Sequence, residues 1–385
     1  MSESQSSSQG LSSLVPGLSL EDHIYQAEEL ISLTDCGTVA RDRQSPDSVG
    51  RPRSQSAASG RSCESCCLDT EAETRGRLEV SVVPAVYHRS NSYQCTRMPA
   101  YPMHRRPRGQ AIIIDIEIYE NDIQERRLGS DVDVENLRAL LQGLEFDVTV
   151  HKNLALGPFY REITEFCCNK MNAEADMAIV VILSHGKDGF VYSADGQSIN
   201  MEYIYEFFNN RNCPLLRGKP KFFIVQSCRG DRPDQGVEAE AEAGGAGGPA
   251  QPLAKKRKNE SVDGVSGIGE AGGGDLSRAR PTWEDMIIAY STIPGYASLR
   301  DHDRGTWFVQ SLCEVFMTHA HDTELVDLLR MTSERLSQFT NELGEKQTCN
   351  VEMRHLYKRI YFNPGLGPQS RHGSQSSNQD NLVLE

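Results

Sequence analysis

Four short runs rich in apolar residues constrain this chain more than any other feature: Ala111 to Tyr119, Met177 to Leu183, Lys221 to Gln226 and Met286 to Ser291. A strand that keeps one side in water alternates polar and apolar residues, whereas one covered on both sides has no need to. Between these runs lie segments of helical period. Val134, Leu137, Leu141 and Leu144 share one face of a helix predicted to start at a Ser130 cap and to end near Gly143. Further helices are predicted at Pro158 to Met171, Met201 to Asn209, Trp307 to His319 and Glu324 to Phe339, with further strands at Phe146 to Val150 and His355 to Phe362. The alternation predicts an α/β fold: a mostly parallel central sheet with helices on both faces.

The 385 residues leave room for one large domain or two ordinary ones, but only 38% are hydrophobic, so a good part of the chain is expected outside any core. Residues 1–105, rich in Ser, Arg, Gly and Pro, read as a long, mostly disordered leader. Within it Leu20, Ile24, Ala27 and Ile31 fall on one face of a short helix over residues 20–33, a candidate adaptor-docking segment, although a transient helix without a role is the plainer reading. The Gly-, Ala- and Glu-rich stretch from Asp231 to Arg280 is too long for an ordinary loop and interrupts the folded part. The expected organisation is therefore a leader (1–105), a first folded region (106–234), an excisable linker (235–280), a second folded region (281–364) and a disordered tail (365–385).

A formal net charge of −14 argues against nucleic-acid binding as the main role. Met1 to Leu20 has neither the basic nor the apolar stretch of a secretory signal, and no apolar run approaches the roughly 20 residues that span a bilayer. A cytoplasmic protein is expected, and the basic tetrad Lys255–Lys258 is either an exposed linker patch or a nuclear import signal. Eleven cysteines in such a chain read as reduced thiols, and Cys63, Cys66 and Cys67 with Cys95 and His104 fit no zinc spacing well, so no metal is expected.

Two residues stand where chemistry is expected. Cys228 follows the run ending at Gln226, and His185 follows the run ending at Leu183. Open parallel sheets build their sites beyond the carboxyl ends of their strands, so the two side chains can meet in one cleft. A thiol with an ordinary pKa near 8.5 is only slightly ionised at neutral pH, and a histidine that takes its proton and later returns it to a leaving amine supplies what it lacks.

The local strings narrow this further. Gln226-Ser227-Cys228-Arg229-Gly230 differs by one residue from the Gln-Ala-Cys-Arg-Gly signature of caspases, and the 43 residues from His185 to Cys228 approach the family's spacing of about 50. Ser184-His185-Gly186, Arg127-Leu128-Gly129-Ser130-Asp131, the Pro294–Arg300 segment and Gly305-Thr306-Trp307-Phe308 extend the resemblance, in the family's order, over residues 108–364. The resemblance implies a caspase-like sandwich and a cysteine endopeptidase cutting protein substrates after aspartate. Cys228 is then the nucleophile, His185 the acid/base, and the backbone N–H groups of Gly186 and Cys228 the oxyanion hole. Arg127, Gln226 and Arg300 would hold the substrate aspartate, with Ser298, Leu299, Asp301 and Trp307 lining neighbouring subsites. It also implies a precursor cut in its linker at Asp263, with Asp234 and Asp275 as secondary sites, a homodimer of large and small subunit pairs, and no cofactor. Ser227, Ala297, Leu299 and Asp301 depart from the common pattern and, with Asn212-Cys213-Pro214, lean toward the caspase two-like branch. The rival reading is a catalytically silent caspase-like scaffold that binds partners through the same fold.

Overall fold

The computed structural model describes residues 77–88, 98–237 and 280–366. The apolar runs become β1 (Gly109–Asp115), β3 (Met177–Leu183), β7 (Lys221–Gln226) and β8 (Met286–Tyr290), every residue of which is buried. With β2 (Asp147–Lys152) and β11 (Asn350–Arg354) they form one six-stranded sheet in the order β11-β8-β7-β3-β1-β2. All pairings are parallel except that of β11 with β8.

Side chains of each central strand go alternately to two cores. Ile113, Ile179, Val181, Phe222, Ile224 and Ile287 join a core under α1 (Ser130–Gly143), α4 (Trp307–His319) and α5 (Leu325–Ser337). Ile112, Ile114, Val180, Ile182, Phe223 and Ile288 join the opposite core under α2 (Leu156–Cys168) and α3 (Met201–Phe207). Two such layers explain why the strands carry no polar alternation. Beyond the sheet ends, β4 (Gly186–Lys187), β5 (Phe190–Tyr192) and β6 (Ser198–Asn200) form a small antiparallel sheet, and β9 (Arg300–Asp301) pairs with β10 (Gly305–Thr306).

Four expectations need correction. The last strand is β11, not His355 to Phe362; it lies at the sheet edge, half-exposed, so its polar Asn350, Glu352 and Arg354 hide it from an apolar-run reading. Residues 355–362 instead run irregularly, with Ile360 and Phe362 plugged into the core. Ser130 is the first helical residue and not the cap, which is Gly129 at φ +83°. A β-carbon on Gly129 would sit 2.7 Å from the carbonyl oxygens of Asp301 and His302, so the tight entry into α1 requires glycine.

The fold also takes in part of the expected leader. Leu78, Val80 and Val82 pack on the α1/α4 core, Val83 N–H donates to Met317 O (2.8 Å), and Tyr101 and Met103 are buried. Likewise Asp231 to Val237 does not leave the body at once: Arg232 bridges to Tyr296 and Asp234 to Lys346. The predicted helix at 20–33, the Cys63–Cys67 group, Cys95, Lys255–Lys258, Asp263 and Asp275 lie outside the described residues. Among the described residues no helix is long and apolar enough to cross a membrane.

Candidate active site

β3 and β7 are direct parallel neighbours with Leu183 opposite Gln226, and Ser184 N–H donates to Gln226 O (3.1 Å). The segments leaving these strands therefore run side by side, one carrying His185 and Gly186, the other Cys228. A β-carbon on Gly186 would lie 2.6 Å from Phe190 O and 3.0 Å from Cys228 O, so the backbones of the two residues touch only because position 186 is glycine.

His185 is fixed from three directions. Its backbone N–H donates to Tyr119 Oη (2.8 Å), its ring lies 5.3 Å from the Tyr119 ring, and its Nε2 is 2.8 Å from Glu125 O. A carbonyl only accepts, so Nε2 carries the proton and Nδ1 keeps its lone pair. Tyr119 is itself held, donating to Ser184 Oγ (2.9 Å), which donates on to Tyr192 O (2.6 Å). Burial lowers the His185 pKa to about 4, and the charges of Arg127 and Arg300 act in the same direction. The imidazole is thus neutral at pH 7 and ready to accept a proton.

Cys228 Sγ accepts a hydrogen bond from Ser298 N–H (3.4 Å) and lies 3.9 Å from Ser298 O, so the backbone of Ser298 holds the sulfur in place. The segment carrying it is tied to the region after the linker. Arg229 N–H donates to Tyr296 O (3.0 Å), Gly295 N–H donates to Arg229 O (2.8 Å), and the Arg229 guanidinium stacks 4.2 Å above the Tyr290 ring.

Beside this couple sit the expected clamp residues. Arg127, only 1% exposed, donates through Nη1 to Asp115 Oδ1 (3.1 Å), Ile116 O (3.1 Å) and Ser130 Oγ (2.8 Å). Its Nη2 is buried and has no hydrogen-bond partner among the described residues. Gln226 donates through Nε2 to Ser298 Oγ (2.8 Å), while its Oε1 is buried and equally without a partner among the described residues. Arg300 is buried in β9, opposite Thr306. An unsatisfied buried donor such as Arg127 Nη2 is costly, and a site that must bind a carboxylate is one place where it is kept; the orphan Gln226 Oε1 is an acceptor, so that amide must turn over before it can serve the same ligand.

The caspase-domain family model matches residues 108–361. This chain belongs to the caspase family. Caspase drICE of Drosophila melanogaster is 35% identical over 237 residues, which are 62% of this chain and 62% of that one. Caspase-2 of Gallus gallus is 31% identical over 74% of this chain and 66% of its own length, and Caspase-3 of Bos taurus is 31% identical over 68% and 87%. The chain thus spans just under two thirds of the length of the first two of these relatives. The solved structure of Caspase-1 from Spodoptera frugiperda superposes with a TM-score of 0.58 at 26% identity, covering 74% of this chain and all of that one.

Within this caspase fold the structure also places the other residues singled out from sequence. Trp307 is 2% exposed and packs on Phe339 with ring centroids 5.5 Å apart, and Leu299 is buried in the same core, so both are held rigidly by the body of the fold. Asp301 turns one carboxylate oxygen onto its own loop, where Oδ1 accepts from Asp303 N–H (2.8 Å) and Arg304 N–H (3.0 Å).

Three further residues at the candidate site carry no signal in the sequence reading. Gln347 clasps the strand segment beside the thiol: Oε1 accepts from Leu299 N–H (2.6 Å) and Nε2 donates to Ser291 O (2.8 Å). Asp115 and Asp133 lie fully buried behind the arginines, and burial raises the Asp133 pKa to about 7 against the opposing pull of Thr306, Arg127 and Arg300. Two acids buried near two buried arginines are a signal that charge pairing alone can supply, but nothing in the sequence says which acids meet which arginines. Among the described residues no group of three His, Cys, Asp or Glu side chains is arranged to hold a metal.

Proposed function

We propose that this caspase-family chain is a cysteine endopeptidase that cuts protein substrates after aspartate. The pairing of β3 with β7 carries this reading, since it sets the His185 and Cys228 turns side by side next to buried, unsatisfied groups of Arg127 and Gln226. In the reaction Nδ1 of His185 takes the Cys228 proton and the sulfur attacks the carbonyl carbon of the aspartyl bond. Charge on the carbonyl oxygen is met by the backbone N–H groups of Gly186 and Cys228, each worth on the order of 3 kcal/mol of barrier. The tetrahedral intermediate collapses to a thioester as His185 returns the proton to the leaving amine, and water then releases the acid. Rotation of the Gln226 amide gives its oxygen to the Ser298 hydroxyl and turns its N–H groups to the substrate carboxylate, beside the guanidinium groups of Arg127 and Arg300.

The precursor reading follows from where the linker lies. β7 ends before residues 238–279 and β8 begins after them, yet the two strands pair, so a cut between them leaves both halves joined by one sheet and two cores. Asp263 is the preferred cutting point, with Asp275 after it. Asp234 is the poorer candidate: its carbonyl accepts from Lys346 N–H (2.8 Å) and its Oδ1 from Gly236 N–H (3.0 Å), so this bond must first be peeled from the body. A homodimer through the regions after the linker, with the edge strand β11 available, and an adaptor contact through residues 20–33 complete the proposal. Purified protein and its Cys228→Ala variant, incubated and sized by mass spectrometry, test it. Cuts after aspartate in residues 238–279 are expected for the parent chain and none for the variant; cutting by the folded variant overturns the proposed nucleophile.

A further inference from the structure

The two clamp arginines stand on opposite sides of the linker, so processing would leave Arg127 and Arg300 on different polypeptides. What fixes their relative position is then a structural question, and the first turn of α1 answers it from both sides.

On one side, Ser130 Oγ accepts from Arg127 Nη1 (2.8 Å) and donates to Asp115 Oδ1 (2.5 Å), closing a triangle that pins Arg127. On the other side, three residues along the same turn, Asp133 Oδ1 accepts from Thr306 N–H (2.8 Å). Thr306 is the residue paired with Arg300 in the β9–β10 hairpin and is also the cap of α4, where its Oγ1 accepts from Val309 N–H (3.4 Å). The contact is close by construction: Gly305 has φ +86°, and a β-carbon there would lie 2.4 Å from Asp133 Oδ1. Asp133 Oδ2 is buried and has no hydrogen-bond partner among the described residues. An acid buried this way is costly, and here only the Thr306 N–H and the nearby charges of Arg127 and Arg300 offset the cost.

We infer that the first turn of α1 is a bracket that sets the spacing of Arg127 and Arg300, with Asp133 as the positioning residue that ties the Arg300 hairpin to it. Asp133 does not touch the substrate. It acts on specificity through Arg300, and its effect falls on recognition of the substrate aspartate and not on the reactivity of Cys228. The inference rests on the proposed aspartate clamp and names the device that keeps the clamp in register once the chain is cut.

The test uses the processed full chain and two fluorogenic peptides that differ only in aspartate or glutamate before the cut. Arg127→Ala and Arg300→Ala come first: if either keeps the parent preference for aspartate, the clamp reading itself fails. With the clamp upheld, Asp133→Ala is expected to raise KM for the aspartyl peptide by about tenfold or more and to shrink the aspartate-over-glutamate ratio of kcat/KM, because small misplacements of a binding group are expensive. The rate at which iodoacetamide alkylates Cys228 should stay within about twofold of the parent, which general unfolding would not allow. Asp133→Asn keeps an acceptor for Thr306 N–H and should restore both KM and the ratio. Ser130→Ala, which loosens the Arg127 side, should give a weaker version of the same signature, and it tests the bracket even if Asp133→Ala fails to fold. Unchanged ratios in Ser130→Ala and in folded Asp133→Ala overturn the inference, as does an Asp133→Asn variant as impaired as the alanine one.

Discussion

Asp115 Oδ1 lies 3.1 Å from Arg127 Nη1, and both side chains are buried, the acid at the end of β1 and the arginine at the entry to α1. A guanidinium this deep is tolerable only while its counter-charge and hydrogen bonds are in place. Asp115→Ala is therefore expected to destabilise the fold by about 3–5 kcal/mol, and Asp115→Asn, which still accepts from Arg127 and Ser130, by clearly less. Urea unfolding of both variants in the Cys228→Ala background measures this. Equal, small losses would mean that Arg127 finds other acceptors.

His185 has its pKa lowered to about 4 by burial first and by Arg127 and Arg300 second. A substrate aspartate on the clamp cancels part of that positive charge, so the His185 pKa must rise on binding. The acid limb of kcat, which reports the complex, should then lie at higher pH than that of kcat/KM, which reports the unbound enzyme. Coincident limbs in a pH series with an aspartyl peptide would contradict the coupling.

Stability follows the same group with a definite sign. The unfolded chain takes up a proton on histidine as pH falls below its ordinary value of 6.5, whereas folded His185 resists until about 4. Stability from this residue is present above 6.5 and is lost as pH falls through that window, by at most about 1.4 kcal/mol per pH unit. Thermal melts of parent and His185→Gln protein between pH 7 and pH 4 should diverge, the parent losing more. Parallel curves would show that the histidine titrates normally.

Asp301 serves its own hairpin turn. Its Oδ1 closes a turn through Asp303 and Arg304 N–H groups, a service that asparagine performs as well. Asp301→Asn should leave the relative kcat/KM for peptides with acidic and neutral fourth residues within about twofold, while Asp301→Ala costs roughly 0.5–2 kcal/mol of stability through the lost turn bonds. A marked gain for acidic peptides in the asparagine variant would show that the other carboxylate oxygen reaches the substrate.

Much of this was legible in the sequence because its signals are local. Met177–Leu183 and Lys221–Gln226 are apolar runs long enough to be buried strands, and the strings around His185 and Cys228 follow them directly. What escaped depends on distant partners. β11 is a half-polar edge strand that exists because β8 offers it a ladder, and Gln347 has no function until the chain folds Leu299 and Ser291 against it. Asp133 lies in a helix turn like any N-terminal acid, and only the packing of Gly305 against its carboxylate distinguishes it. How deeply the Trp307 ring enters the core was equally out of reach, since Phe339, the ring it packs on, lies 32 residues away in sequence.

In the proposed enzyme Cys228 cuts after a residue chosen by Arg127, Gln226 and Arg300. A peptide library randomised at the residue before the cut, digested by the processed parent chain with the Cys228→Ala variant as the control, reads that choice out. Aspartate should exceed every other residue by several orders of magnitude in kcat/KM, since a buried pair of guanidinium groups repels cations and is left unpaired by neutral side chains. The variant should show no turnover. Preference for arginine or lysine, or equal turnover of aspartate and asparagine, would rule out the aspartate clamp.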